Sequence, residues 1–117
     1  MKYQGSCHCK AIEFTFESPE ITTALQCNCS ICSRKNALML KQAISSDAFE
    51  LIKGKEHLSR YQWGDKDVNH YFCKTCGIYP FHDLSFEPNQ YRINLGCVDN
   101  IALDSLEIIQ FDGKNEI

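Results

Sequence analysis

The sequence predicts a small, mainly β domain of short antiparallel strands tied together by cysteine clusters. Three observations carry that prediction. The hydrophobic pattern has a period of two along most of the chain, and no segment shows a sustained 3.6-residue stripe. Strand-like runs are separated by turn residues at short intervals. The cysteines fall in tight groups at the ends of those runs, where a turning backbone can aim two side chains at one point.

The elements follow in order. Residues 11–17, AIEFTFE, place Ile12, Phe14 and Phe16 on one face and Glu13, Thr15 and Glu17 on the other, which is a half-buried strand. Ser18-Pro19-Glu20 ends it, because proline cannot donate to a ladder. ITTALQC (21–27) reads as its return partner. Residues 30–36 and 45–49 read as short helical turns, the second capped by Ser45, Ser46 or Asp47. ALMLK (37–41), FELIKG (49–54), HLSRYQW (57–63) and HYFC (70–73) read as further strands. Gly54-Lys55 and Gly64-Asp65 supply turns between them. YRINLG (91–96) alternates again, and LEIIQF (106–111) is the last strand. No internal linker or repeat interrupts residues 1–117, so a single domain is expected.

Composition excludes several classes. The 117 residues are 44% apolar and 23% charged, ordinary values for a soluble globular chain. The net charge is -3, and the longest basic run is Arg34-Lys35. A nucleic-acid binder would show a basic face or arm, so no nucleic-acid partner is expected. No stretch approaches the roughly 18 apolar residues of a membrane span, so no membrane partner is expected. Met1 to Ser6 lacks the apolar core of a secretory signal. A cytoplasmic location is therefore the expectation. Thiols stay reduced there, and clustered cysteines then read as metal ligands or catalytic groups.

The spacing of the sulfurs narrows the choice. Cys7 and Cys9 form C-x-C, Cys27, Cys29 and Cys32 form C-x-C-x-x-C, and Cys73 and Cys76 form C-x-x-C followed by Gly77. C-x-C is a strained disulfide but a good half-site for a metal. Cys7, Cys9, Cys73 and Cys76 make a closed four-sulfur set, the form of a structural zinc site. Cys27, Cys29 and Cys32 remain, with a fourth position vacant, the form of a catalytic zinc site. Two zinc ions per chain are expected. The other reading closes the second site with Cys97 or a histidine. Cys97 otherwise reads as a small buried hydrophobe. His8 points away from the metal between its neighbours, His57 is exposed, and His70 and His82 flank the late cysteine pair, where they either orient ligands or serve structure.

GSCHC (5–9), CNCSIC (27–32) and HYFCKTCG (70–77) together resemble the glutathione-dependent formaldehyde-activating enzyme family, which includes the centromere protein V-like domains. The order and spacing of seven cysteines match over nearly the whole chain, and GCVD (96–99) is similar to a late segment of the centromere protein V branch. The resemblance implies a zinc-clipped β fold of the Mss4-like type. It implies that Cys7, Cys9, Cys73 and Cys76 are structural zinc ligands and that Cys27, Cys29 and Cys32 hold the catalytic zinc. One departure is Lys10, where the family usually has glycine.

The family's reaction joins glutathione and formaldehyde into S-hydroxymethylglutathione, and in reverse cleaves that carbon–sulfur bond. Zinc with three thiolates keeps one net negative charge, acidifies water weakly and suits a soft fourth ligand such as a substrate thiol. The expected partners are therefore a small thiol, glutathione, and an aldehyde. Arg34-Lys35, just past Cys32, either help position the carboxylates of glutathione or form a solvated turn. The alternative function is a non-catalytic zinc module that binds a protein partner or glutathione.

Overall fold

The computed structural model describes residues 1–64, 67–84 and 89–116. In chain order its strands are β1 (Lys2–Ser6), β2 (Glu13–Glu17), β3 (Thr23–Cys27), β4 (Ile44–Ser45), β5 (Phe49–Lys53), β6 (Leu58–Tyr61), β7 (Val68–Cys73), β8 (Phe81–Leu84), β9 (Gln90–Ile93) and β10 (Glu107–Phe111). Two short helices, α1 (Ser30–Lys35) and α2 (Gly113–Glu116), interrupt them. The fold is mainly β, as the period-two pattern requires.

Three sheets form. β1, β2 and β5 pair antiparallel in the order β1-β2-β5. The largest sheet is antiparallel, in the order β4-β9-β8-β7-β6. β3 and β10 make a parallel pair. The alternation in β2 buries Phe14 and Phe16 almost completely. Phe14 meets Phe81 of β8 edge-on with ring centroids 5.4 Å apart, and Phe49 of β5 stacks on Tyr91 of β9 at 3.9 Å. These rings fasten the three-stranded sheet to the five-stranded one. Each contributes about 2–3 kcal/mol by leaving water.

Several expectations change. The segment 21–27 is a strand, but it pairs with β10, while β2 takes β1 and β5 as partners. Residues 37–41 form no strand. Met39 exchanges both backbone bonds with Leu25, whereas Leu38 and Leu40 bond Leu95 and Ile93. The segment is a strut between two sheets, so neither ladder continues along it. β1, β4 and β8 escape the pattern. β8 does so because its inward residues are Phe81 and Asp83, and Asp83 is buried by accepting bonds from Asn69 and Tyr71. Ser45 precedes a short 3-10 turn, Ser46–Ala48, but no side chain caps it. Gly54 turns with φ +98°, while Asp65 of the other expected turn lies outside the described residues.

Lys10 closes the turn between β1 and β2 with φ +65°, its N–H bonded to the Cys7 carbonyl at 3.2 Å. A side chain with a Cβ costs about 1–2 kcal/mol in that left-handed region. Glycine removes the strain but gains freedom in the unfolded chain, which returns about 0.5–1 kcal/mol. Lys10→Gly should therefore stabilise the protein by about 0.5–1 kcal/mol and raise the thermal midpoint by a few degrees. A lowered midpoint would show that the lysine side chain stabilises this turn by more than the strain costs.

Candidate metal centres and the cavity beside them

The first cysteine group assembles from two turns far apart in sequence. Cys7 and Cys9 lie between β1 and β2, and Cys73 and Cys76 lie in the turn from β7 to β8. Their four sulfurs lie within 4.8 Å of one another. The Cys7–Cys9 and Cys9–Cys73 distances are both 3.7 Å. Four sulfurs at about 2.3 Å from one ion form a tetrahedron with edges of about 3.8 Å. The geometry fits a tetrahedral cation. Backbone N–H groups support charge on the sulfurs, with Ile12 donating to Cys7 Sγ and Thr75 to Cys73 Sγ, each at 3.4 Å.

The second group is Cys27, at the end of β3, with Cys29 and Cys32 at the start of α1. These three sulfurs also lie within 4.8 Å of one another, and the Cys29 N–H donates to Cys27 Sγ at 3.4 Å. Among the described residues no fourth Cys, His, Asp or Glu joins the three. Cys97 sits elsewhere, its thiol directed at the Tyr79 carbonyl at 3.8 Å and pushed up to about 12 by burial. Burial also pushes the Cys32 thiol up to about 12, against the pull of the Lys35 ammonium.

A cavity of about 450 Å³ opens beside this second group. Cys27, Cys29 and Cys32 form one wall, and His70, His82 and Arg92 another. Ile31, Trp63 and Phe111 make much of the rest apolar. The polar wall is one rung of the large sheet: His70 of β7 lies opposite His82 of β8, which lies opposite Arg92 of β9. Tyr79 bridges the two imidazoles, its hydroxyl 2.6 Å from His70 Nδ1 and 2.9 Å from His82 Nδ1. Burial, then the Lys35 charge, holds His70 down at about 4, and the same two causes hold His82 well below its ordinary value. Both rings are neutral at pH 7. Burial, reinforced by the Cys32 and Cys29 sulfurs, pushes the Tyr79 hydroxyl up, so it keeps its proton.

Arg34 and Lys35 part company. Arg34 is exposed and caps the Ser30 carbonyl at 2.7 Å. Lys35 turns inward, with Nζ buried 4.1 Å from the centre of the Tyr79 ring and without a hydrogen-bond partner among the described residues. A buried ammonium without an acceptor is costly. Burial pulls the Lys35 pKa below the ordinary lysine value, against the attraction of the Cys32, Cys29 and Cys27 sulfurs, which favours the charged form. A divalent cation held by three thiolates would leave one net negative charge for Lys35 to balance, so the donor set and its surroundings fit such an ion.

His70 and His82 thus face the three-sulfur cavity and not the late cysteine pair, although both sit beside that pair in sequence. His8 is exposed, and His57 is half-buried beside Glu56 at 3.8 Å. Arg92 and Tyr79 were not legible as site residues. The only available signal was the odd member of YRINLG, since Arg92 takes the face opposite buried Ile93.

A family model described as glutathione-dependent formaldehyde-activating enzyme matches residues 2–110. A Halomonas elongata protein carrying that family's name is 40% identical over 83 residues, covering 65% of this chain and 52% of its own length. The chain therefore spans about half the length of that curated relative. A crystal structure of a Rhodobacter sphaeroides protein matches with a TM-score of 0.77 and 30% identity, over 91% of this chain and 99% of its own.

Gly113 at the start of α2 packs its backbone on the second cysteine group. A Cβ there would lie 2.6 Å from Cys27 Sγ and 3.2 Å from the Cys29 Cβ. Gly113→Ala should displace Cys27 and lower metal content at this group while the Cys7 group keeps its own. Metal per chain, measured beside the count of titratable thiols, reads this directly. Unchanged metal content would show that α2 yields without disturbing the cluster.

Proposed function

The chain belongs to the glutathione-dependent formaldehyde-activating enzyme family, and from that premise we propose that it is a zinc-dependent carbon–sulfur lyase that forms and cleaves a thiol–formaldehyde adduct, S-hydroxymethylglutathione. The observation that carries the reading is the set of three thiols lining one cavity, with the buried Lys35 ammonium, which has no hydrogen-bond acceptor among the described residues, attracted to them. We assign zinc to both cysteine groups. Cys7, Cys9, Cys73 and Cys76 hold a structural ion, and Cys27, Cys29 and Cys32 hold the catalytic one. Zinc at the open site supplies a soft Lewis-acid position that suits a thiol and favours its reactive, ionised form.

The chain's own residues supply the rest. The cavity volume of about 450 Å³ falls in the range of small-molecule sites. Arg92, on the cavity wall, is a planar guanidinium suited to a carboxylate of glutathione. The Lys35 ammonium offsets negative charge on the three sulfurs. Ile31, Trp63 and Phe111 limit water, which strengthens both effects. Holding thiol and aldehyde side by side converts an encounter into a local addition. In this reading residues 1–117 act as one domain of the Mss4-like type. Free thiols at all eight cysteines fit a reducing compartment such as the cytoplasm. Among the described residues no helix is long and apolar enough to cross a membrane.

The test is the exchange rate among glutathione, formaldehyde and their adduct, followed by NMR with zinc-loaded protein against a protein-free blank. Acceleration is expected, together with two zinc ions per chain, one released by a mild chelator and one only by a mercurial. A rate equal to the blank, with two equally resistant ions, would favour the non-catalytic binding module. Lys35→Met separates the charge effects. It removes a buried ammonium that has no hydrogen-bond acceptor among the described residues, so the metal-free protein should gain stability. It also removes the counter-charge, so zinc at the Cys27 group should bind about tenfold more weakly, equivalent to roughly 1.4 kcal/mol. Equal zinc affinity in the variant would show that Lys35 does not balance the site.

A further inference from the structure

The Tyr79 hydroxyl carries one proton and stands between two imidazole nitrogens, His70 Nδ1 at 2.6 Å and His82 Nδ1 at 2.9 Å. It can donate to only one of them. The other must donate an N–H to the hydroxyl oxygen, since two lone pairs at such distances repel. Two neutral histidines held this way have opposite tautomers. The distances say which is which. An O–H donor makes shorter bonds than an N–H donor. Tyr79 therefore donates to His70, whose proton sits on Nε2, and His82 donates Nδ1–H to Tyr79, leaving its Nε2 a lone pair. Both rings line the same cavity as the three thiols. Tyr79 is itself anchored, with its carbonyl accepting from Asn94 Nδ2 at 2.8 Å.

We propose that Tyr79 locks His70 and His82 in opposite tautomers and makes them a neutral proton relay that presents one N–H donor and one nitrogen acceptor to the cavity. This rests on the thiol–aldehyde reading above for its chemical role. In the forward direction the sulfur–carbon bond forms as the carbon–oxygen π bond breaks. The thiol proton goes to His82 Nε2, His82 passes its Nδ1 proton to Tyr79, and Tyr79 passes its own to His70 Nδ1. His70 then releases its Nε2 proton to the new alkoxide. One proton enters and one leaves, so no ring stays charged. That matters because burial and the Lys35 ammonium oppose a cation on either ring. Each turnover inverts both tautomers, and proton exchange at the cavity side or the reverse reaction resets them. His70 and His82 touch the reacting atoms, while Tyr79 is a positioning residue that acts through them.

The test pairs histidine-selective ¹⁵N NMR with kinetics, on the zinc-loaded full chain and on Tyr79→Phe. In the wild type, His82 should show a protonated Nδ1 and His70 a protonated Nε2. In Tyr79→Phe this fixed opposition should be lost. Adduct exchange should slow by about 100-fold, at the lower end of the range for general acid–base groups. Glutathione affinity should change less than about twofold, because no substrate contact is removed. The solvent-isotope dependence should be curved in the wild type and linear in the variant. The same tautomer on both wild-type rings, or an unslowed Tyr79→Phe, would overturn the relay. Opposite tautomers in a wild type that leaves the blank rate unchanged would support the lock and overturn the thiol–aldehyde reading instead.

Discussion

The contact between Cys9 and Cys73, 3.7 Å apart and 64 residues distant in sequence, is the constraint on which the rest of the structure leans. It joins the turn of the three-stranded sheet to the turn of the five-stranded one. Little apolar surface helps at that end. The buried cluster there is Cys7, Ile12 and Cys73, whereas the aromatic core links Phe14, Phe81, Phe49 and Tyr91 in a chain of ring contacts. A chain of this size exposes a large share of its surface, so a few sulfurs at one corner weigh heavily. Four thiolates this close repel unless a cation lies among them. The fold and the charge of this corner are therefore one problem with one solution.

The cavity obeys the same logic with the opposite emphasis. Three sulfurs, the Asp67 carboxylate, one buried ammonium and one guanidinium meet two imidazoles that burial keeps neutral. An ammonium stripped of water and given no acceptor destabilises the fold, by several kcal/mol in general. Such a group persists where negative charge arrives from elsewhere. Three thiolates around a divalent cation would supply that negative charge.

The local features were legible in the sequence, and the long-range ones were not. Cysteine spacing is local chemistry: C-x-C and C-x-x-C aim two sulfurs at a point whatever the fold, so the composition of both groups could be read from residue numbers. The alternation in residues 11–17 was equally plain, since Phe14 and Phe16 face one core. The partner of β3 was not, because a parallel strand 80 residues away leaves no turn signal between the two. β8 was hidden for a different reason. Its inward Asp83 breaks the apolar alternation and is tolerated only because Asn69 and Tyr71 satisfy it. Lys35 read equally as a glutathione-positioning charge or as part of a solvated turn, and Arg92 carried no reading, since a sequence does not record which way a long side chain turns.

The two cysteine groups are not independent, and the link is the β7–β8 hairpin. Cys73 ends β7, and its N–H bonds the Ile78 carbonyl at 2.9 Å while Gly77 N–H bonds the Cys73 carbonyl at 2.9 Å. Those bonds set the register of the hairpin, and the register places His70 opposite His82. A slip of one residue would turn every side chain of β7 to the other face and remove His70 from the cavity. Tyr79, which must reach both rings, lies in the segment between the cysteine turn and β8. Geometry at the first group is in this way transmitted to the cavity wall over one short turn. The closed cluster then does more than hold two sheets together: it fixes the spacing at which one hydroxyl can serve two imidazoles.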